Sequence, residues 1–161
     1  MLELKDLKKL FDGISVLNGV DISFQQGTKI GLSGGNGTGK STLLNIATGF
    51  LTTEEGAIIL NGDNVTHLEA WKLSRLGVKR TFQKVRFNKD LILKEQLYTN
   101  DEIIKKNRYM LEGAGIIDYL YFFPNEVPLP ILRKIEVIRA LLDRPKYLFL
   151  DEPSAGMAAT D

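Results

Sequence analysis

Apolar positions along this chain recur with two different spacings. Val20, Ile22 and Phe24 alternate with polar neighbours, the two-residue period of a strand with one buried face. Residues 2–7 form an earlier strand-like run. Between the two lies Phe11-Asp12-Gly13-Ile14-Ser15-Val16-Leu17, a turn followed by apolar residues. A Gln25-Gln26-Gly27 turn delivers the chain to Lys29-Ile30-Gly31-Leu32-Ser33, which predicts a short buried strand. The spacing then changes: residues 40–49 predict a helix with Leu43, Leu44 and Ile46 on its apolar side. Residues 57–60 predict a strand closed by the tight turn Asn61-Gly62-Asp63. Thr66-His67-Leu68-Glu69 fits a capping box for a helix over 68–76 that Gly77 stops, and residues 78–82 predict a further strand.

Beyond Gln83, charged and apolar residues mix at helical spacing. Thr99-Asn100-Asp101-Glu102 opens a capped helix that ends near Gly113. The aromatic run Tyr119-Leu120-Tyr121-Phe122-Phe123 is expected as core of a small helical subdomain, with a docking surface as the alternative. Ile131, Ile135, Ile138 and Leu142 form one stripe of a helix over 131–142. Tyr147-Leu148-Phe149-Leu150 is continuously apolar, as a strand inside a parallel sheet should be. The pattern predicts an α/β domain with a mostly parallel core sheet, an antiparallel β piece near the N-terminus and a helical insertion after Gln83.

Composition narrows the classes. A chain of 161 residues is one domain with room for a substantial core. A net charge of +1 gives no support for nucleic-acid or polybasic membrane-surface binding. With no cysteine there is neither a disulfide framework nor a thiolate metal site, and His67 alone cannot form a histidine cluster for zinc. His67 itself is expected to be exposed near a helix start. The N-terminus lacks an apolar signal core, and no apolar run approaches the length of a membrane span. The chain is expected in the cytoplasm, with membrane association only through a partner.

The chemistry centres on Gly34-Gly35-Asn36-Gly37-Thr38-Gly39-Lys40-Ser41-Thr42, which satisfies G-x-x-x-x-G-K-S/T. Glycines let the backbone turn its N–H groups inward as a nest for anionic oxygens, and the helix that follows adds its positive end. Lys40 would reach the β- and γ-phosphates of a nucleotide, and the Ser41 hydroxyl would ligate Mg²⁺. Far downstream, the apolar strand over 147–150 ends in Asp151-Glu152-Pro153. A carboxylate leaving a buried strand suits a cation beside phosphates. Asp151 is the expected Mg²⁺ partner, and Glu152 the group that orients or deprotonates an attacking water. A guanine-reading N-K-x-D is approached by Asn88-Lys89-Asp90, but Leu91 stands at the last position, which argues against a GTPase.

These residues resemble the ATP-binding subunits of ABC transporters, with Gly35 standing where that family usually has proline. Asp151-Glu152-Pro153-Ser154-Ala155-Gly156-Met157 is similar to the family's acidic strand end and following loop, and Arg80-Thr81-Phe82-Gln83-Lys84-Val85-Arg86 looks most like its branched-chain amino acid uptake branch. The resemblance implies a P-loop NTPase core over about 1–83 and 144–161, with a helical subdomain over about 84–143. It implies ATP and Mg²⁺ as cofactors, a nucleotide site made by Gly34, Asn36, Gly37, Thr38, Gly39, Lys40, Ser41 and Thr42, and Gln83 beside Mg²⁺ and the attacking water. Phe11 falls at the position of an adenine-stacking aromatic, although a core phenylalanine would fit there too. The implied partners are a second nucleotide-binding subunit, in a homo- or heterodimer, and membrane permease subunits, which would hold the chain at the inner face of the membrane.

Two departures stand out. The family's signature, a serine and glycines that touch the γ-phosphate held by the other subunit, is replaced by Val127-Pro128-Leu129-Pro130-Ile131-Leu132-Arg133-Lys134. Pro128 supplies no hydroxyl and Pro130 no N–H. The family also continues into a further strand carrying a γ-phosphate histidine, so the resemblance implies a C-terminally shortened chain: a rearranged sheet, a strand supplied by a partner, or a form of low stability. The expected activity is Mg-ATP binding and hydrolysis coupled to transport, with impaired turnover. The alternative is a hydrolytically weak nucleotide-binding module, or the degenerate half of a heterodimeric pair.

Overall fold

The structure, a computed structural model, describes residues 1–97 and 100–153. The expectations for Thr99 and for residues 154–157 therefore lie outside the described residues. The chain divides into two compact units, Met1–Lys79 and Arg80–Asp161.

In the first unit, β1 (Leu2–Phe11) and β2 (Ile14–Phe24) form an antiparallel hairpin. Asp12 and Gly13 turn it with φ of 49° and 81°, the doubly left-handed geometry that matches the twist of the flanking strands. On the other side of β1 lie β3 (Glu55–Leu60) and then β4 (Asp63–Asn64), giving the order β2-β1-β3-β4 with every described pair antiparallel. Leu2 and Leu4 bury alternate positions of β1, yet Leu7 is buried as well. A bulge explains the change of phase. The register shifts between Leu4 and Leu7, Asp6 adopts φ 46°, and its N–H donates to the Asp21 carboxylate at 3.1 Å. Gly56 is required opposite this bulge, because a Cβ there would lie 2.4 Å from the carbonyl oxygens of Lys5 and Asp6.

Helix α1 (Lys40–Ala47) buries Leu43, Leu44, Ile46 and Ala47 and lies against β2. Ahead of it, residues 29–33 depart from the expected buried strand. They form no strand, and Ile30 and Leu32 are 54% and 45% exposed. A parallel-type strand is stable only between neighbours that pair its backbone, and no ladder to this segment forms among the described residues. The capping box at 66–69 is also corrected. The Thr66 hydroxyl accepts the Ile58 N–H at 2.9 Å and donates to Asn64 Oδ1 at 2.6 Å, so it fastens the β3–β4 turn. Helix α2 (Ala70–Arg75) starts after Glu69 without a side-chain cap, and Gly77 follows it at φ 97°. His67 is exposed, as expected.

The second unit contains the end of β5 (Val78–Arg80) and β6 (Tyr147–Phe149), neighbours in a two-stranded sheet. Between them run α3 (Leu93–Gln96), α4 (Asp101–Lys106), α5 (Arg108–Gly113) and α6 (Leu129–Leu142). Their shared core includes Leu93, Leu111, Ile116, Leu120, Ile135 and Ile138, with Ile131 and Leu142 packed on its edge. Ile135 is fully buried there, and Ile135→Ala is expected to destabilise the fold by about 2–5 kcal/mol, read as a lower urea midpoint at unchanged slope. The helix expected to run from 99 to 113 is two helices: Asn100 caps α4 by accepting the Ile103 N–H at 2.9 Å, and Asn107 interrupts the run.

Two further expectations are corrected. Leu120 is core, but Tyr121, Phe122 and Phe123 are exposed. The Leu93 N–H donates to the Phe122 carbonyl at 3.0 Å, so backbone bonding to α3 holds this segment while its rings face outward. Leu150 lies beyond β6 and is exposed, whereas Tyr147 and Phe149 are buried. Among the described residues, no helix is long and apolar enough to cross a membrane.

Candidate functional site

The glycine loop in the first unit has a shape that its sequence dictates. Gly37 and Gly39 both take left-handed φ, 79° and 87°. Gly39 is packed under the hairpin: an added Cβ would meet the Val16 carbonyl oxygen at 2.9 Å and Leu17 Cδ2 at 3.0 Å. Strain of this kind costs about 1–3 kcal/mol, so Gly39→Ala is expected to lower the urea midpoint and weaken nucleotide binding together. Gly39 also caps α1 with no side-chain oxygen, and the first intrahelical bond is the Leu43 N–H to the Gly39 carbonyl at 2.8 Å. The opening N–H groups of α1 are consequently available to an anion.

Lys40 lies across this loop. Its ammonium donates to the carbonyl oxygens of Gly34 and Gly35, both at 2.7 Å, while the Thr38 hydroxyl donates to the Gly35 carbonyl at 2.9 Å. A cation held beside left-handed glycines at the start of a helix suits an anion-binding loop. Ser41 and Asn36 are exposed, so both can face a ligand. Phe11, at the end of β1, is 44% exposed, which corrects the alternative of a core phenylalanine. The Lys9 ammonium sits 5.4 Å from its ring centroid and pairs with Glu54 at 2.7 Å.

The second unit holds the other expected residues at the ends of β5 and β6. Asp151 pairs with Arg80, whose Nη2 is 3.1 Å from Asp151 Oδ2, and the Asp151 N–H donates to Thr81 Oγ1 at 3.4 Å. Gln83 Nε2 donates to Glu152 Oε2 at 2.9 Å. Glu152 adopts φ 47°, a left-handed conformation that a glutamate holds only at a cost of about 1 kcal/mol or more. The structure thus brings Gln83 and Glu152 into contact within one unit, whereas the loop residues and Phe11 belong to the other.

Sequence reasoning assigned no role to Arg80, Thr81 or Glu136. Glu136 is 4% exposed on α6, and its carboxylate accepts the Phe82 N–H at 3.2 Å, next to Gln83. Burial raises its pKa above the ordinary glutamate value, opposed by the Phe82 hydrogen bond and by Arg139, Arg133 and Arg86. The folded chain therefore binds this proton more tightly than the unfolded chain does. Stability should fall as pH rises from the ordinary glutamate value through the raised folded one, and Glu136→Gln should flatten that part of the profile in unfolding measured against pH. The signal available in the sequence was a glutamate directly after the apolar-stripe residue Ile135, with Arg133 and Arg139 three places to either side of it on the helix.

The donor set fits a magnesium nucleotide better than a metal centre made by protein alone. Among the described residues no group of three or more histidine, cysteine or acidic side chains could hold an ion. Mg²⁺ is held well by one or two protein oxygens when phosphates complete its octahedron; the first unit carries an oxygen of that kind in the exposed Ser41, and the second unit carries one in Asp151.

The chain is similar to proteins of known role. The family profile described as ABC transporter matches residues 17–155. Over 180 aligned residues the chain is 28% identical to the high-affinity branched-chain amino acid transport ATP-binding protein BraF of Pseudomonas aeruginosa, covering 98% of this chain and 71% of that protein. It is 31% identical to the probable branched-chain amino acid transport ATP-binding protein LivG of Methanocaldococcus jannaschii, covering 98% of this chain and 70% of that one. A crystal structure of the ADP conformation of an ATP-binding cassette of an ABC transporter matches with a TM-score of 0.84 at 30% identity, over 98% of this chain and 70% of that chain.

Proposed function

The chain belongs to the ABC transporter family, with the fold of its ATP-binding cassettes, and on that premise we propose that it binds Mg-ATP and hydrolyses it to drive a membrane permease. The observation that carries this reading is the Lys40 ammonium spanning the carbonyls of Gly34 and Gly35 at the head of an uncapped helix. In this reading residues 1–83 and 144–161 form the nucleotide-handling core, and residues 84–143 the helical subdomain.

The chain's own groups divide the work. Gly34, Asn36, Gly37, Thr38 and Gly39 surround the phosphates, chiefly through backbone N–H groups, and Thr42 continues this surface into α1. Lys40 holds the β- and γ-phosphates. The exposed Phe11 ring offers a face for adenine, with the Lys9 ammonium over the ring. Ser41, Asp151 and Gln83 are the residues that would hold Mg²⁺, which would neutralise charge on the two terminal phosphates. Glu152 orients or deprotonates the attacking water, and Gln83 fixes the Glu152 carboxylate by its 2.9 Å hydrogen bond.

Turnover in this reading is low. Pro128 stands at the N-cap of α6 and Pro130 within its first turn, where they remove a hydroxyl and an N–H from a helix start that would otherwise attract a phosphate. Losing such donors weakens catalysis on the order of a hundredfold at a partner subunit's site. The same two prolines favour the second reading, a module that occupies ATP and hydrolyses it slowly, or the degenerate half of a heterodimer.

The names of the relatives support branched-chain amino acid transport as the process served. In this reading a second nucleotide-binding subunit and membrane permease subunits are the partners. Two measurements test the reading. ATP should displace a fluorescent ATP analogue from the chain with Mg²⁺ present, and GTP should compete less well; a clear win for GTP would overturn the base assignment. A permease and a second ATPase subunit should copurify with the tagged chain, and their absence from membrane extracts would remove the transport role.

A further inference from the structure

Arg80 is nearly enclosed. Its side chain is 5% exposed and that of Asp151 12%, so the 3.1 Å contact between Nη2 and Oδ2 is a buried ion pair. The guanidinium is held from other directions as well. Its Nε donates to the Thr81 carbonyl at 3.2 Å, and its Cζ stands 4.9 Å from the Phe82 ring centroid. Asp151 is likewise fixed through its backbone, whose N–H donates to Thr81 Oγ1. Neither partner can leave without stranding a charge away from water.

The pair divides the Asp151 carboxylate into two unequal oxygens. We propose that Arg80 is a positioning residue that commits Asp151 Oδ2 and leaves Oδ1 as the one oxygen Asp151 presents to the divalent ion, so that the site favours Mg²⁺ over Ca²⁺. This inference rests on the Mg-ATP reading and adds to it the reason for the choice of ion. Mg²⁺ requires a small, near-ideal octahedron, and a single oxygen from each carboxylate suits it. Ca²⁺ takes six to eight oxygens and commonly grips a carboxylate by both. Two-oxygen ligation by Asp151 would need Oδ2 back from a guanidinium that is permanently charged and shaped to hold it. The added positive charge repels both ions alike, so charge alone moves the two affinities together. Committing one oxygen moves their ratio.

The ratio is therefore the readout. The chain would be loaded with the β,γ-imido analogue of ATP and Mn²⁺, the Mn²⁺ resonance followed, and Mg²⁺ or Ca²⁺ added as competitor. For the parent chain, much more Ca²⁺ than Mg²⁺ should be needed to release Mn²⁺. In Arg80→Met, which keeps the bulk and loses the donors, the Ca²⁺ needed relative to Mg²⁺ should fall about tenfold or more. Arg80→Lys retains the charge but not the planar fork, and it should shift the ratio in the same direction by less. It carries the test if Arg80→Met fails to give a native circular dichroism spectrum. An unchanged ratio in a folded variant defeats the inference and leaves the Mg-ATP reading intact. Failure of the parent chain to bind the Mn²⁺-nucleotide at all defeats that reading, and this inference with it.

Discussion

Lys40→Ala is expected to weaken Mg-ATP binding by about ten- to a hundredfold, and to lower any phosphate release by a further two to three orders of magnitude. The first figure follows from what a hydrogen-bonded charge contributes against an anion, about 1.5–3 kcal/mol. The second arises because charge on the transferring phosphoryl oxygens is greatest in the transition state, where a fixed ammonium acts without reorganising. The structure separates this loss from unfolding. Among the described residues the Lys40 ammonium bonds only to the Gly34 and Gly35 carbonyls of its own loop, and α1 is anchored instead by Leu43, Leu44 and Ile46. The urea midpoint should accordingly stay close to that of the parent chain. Isothermal calorimetry with Mg-ATP on both proteins decides the matter. Equal heats from parent and variant, or none from either, would remove the phosphate loop as the site. Lys40→Arg should rescue little, because a planar fork cannot occupy the narrow position between two carbonyls that a compact ammonium fills.

How far the sequence carried depended on the range of the interactions. The Asp12-Gly13 turn, the Asn61-Gly62 turn and the apolar stripe of α6 are local patterns, and each is found where its residues imply, although the strands on either side of the first turn, Leu2–Phe11 and Ile14–Phe24, run longer than the expected 2–7 and 20–24. The glycine loop is legible for the same reason, since its shape comes from left-handed residues at Gly37 and Gly39. Residues 29–33 depart from the expected strand because an apolar run becomes a strand only with neighbours, and composition says nothing about whether neighbours are there. Tyr121, Phe122 and Phe123 are exposed rather than core for a related reason. Aromatic character suggests burial, while the backbone bond from Leu93 to Phe122 sets which way the segment faces. Thr66 matched a capping motif, yet Asn64 two residues earlier captured its hydroxyl. In the second unit the sequence named Asp151, Glu152 and Gln83, but not the residues that hold them. Arg80 meets Asp151 across 71 positions and Glu136 meets Phe82 across 54, separations over which no periodicity links one residue to another.

The second large effect belongs to Glu152. Glu152→Gln is expected to cut single-turnover phosphate release by about 10²- to 10⁴-fold, the range for loss of a general base, while Mg-ATP affinity stays within about twofold. The substitution is nearly isosteric, and an amide oxygen at position 152 can still accept the Gln83 Nε2 hydrogen bond that the carboxylate accepts at 2.9 Å. Geometry is preserved and basicity is removed. Gln83→Ala makes the complementary change: the carboxylate stays basic but loses its partner, and a smaller decline of about tenfold is expected because positioning, not proton transfer, is lost. The order of these effects, Glu152→Gln well below Gln83→Ala and both below the parent chain, identifies Glu152 as the group that meets the water. The same series separates the two readings of the chain. If the prolines at the start of α6 merely slow an intact machine, the parent chain releases phosphate slowly and Glu152→Gln abolishes what remains. If the chain only holds its nucleotide, release from the parent is already at the background of free Mg-ATP, and neither substitution changes it.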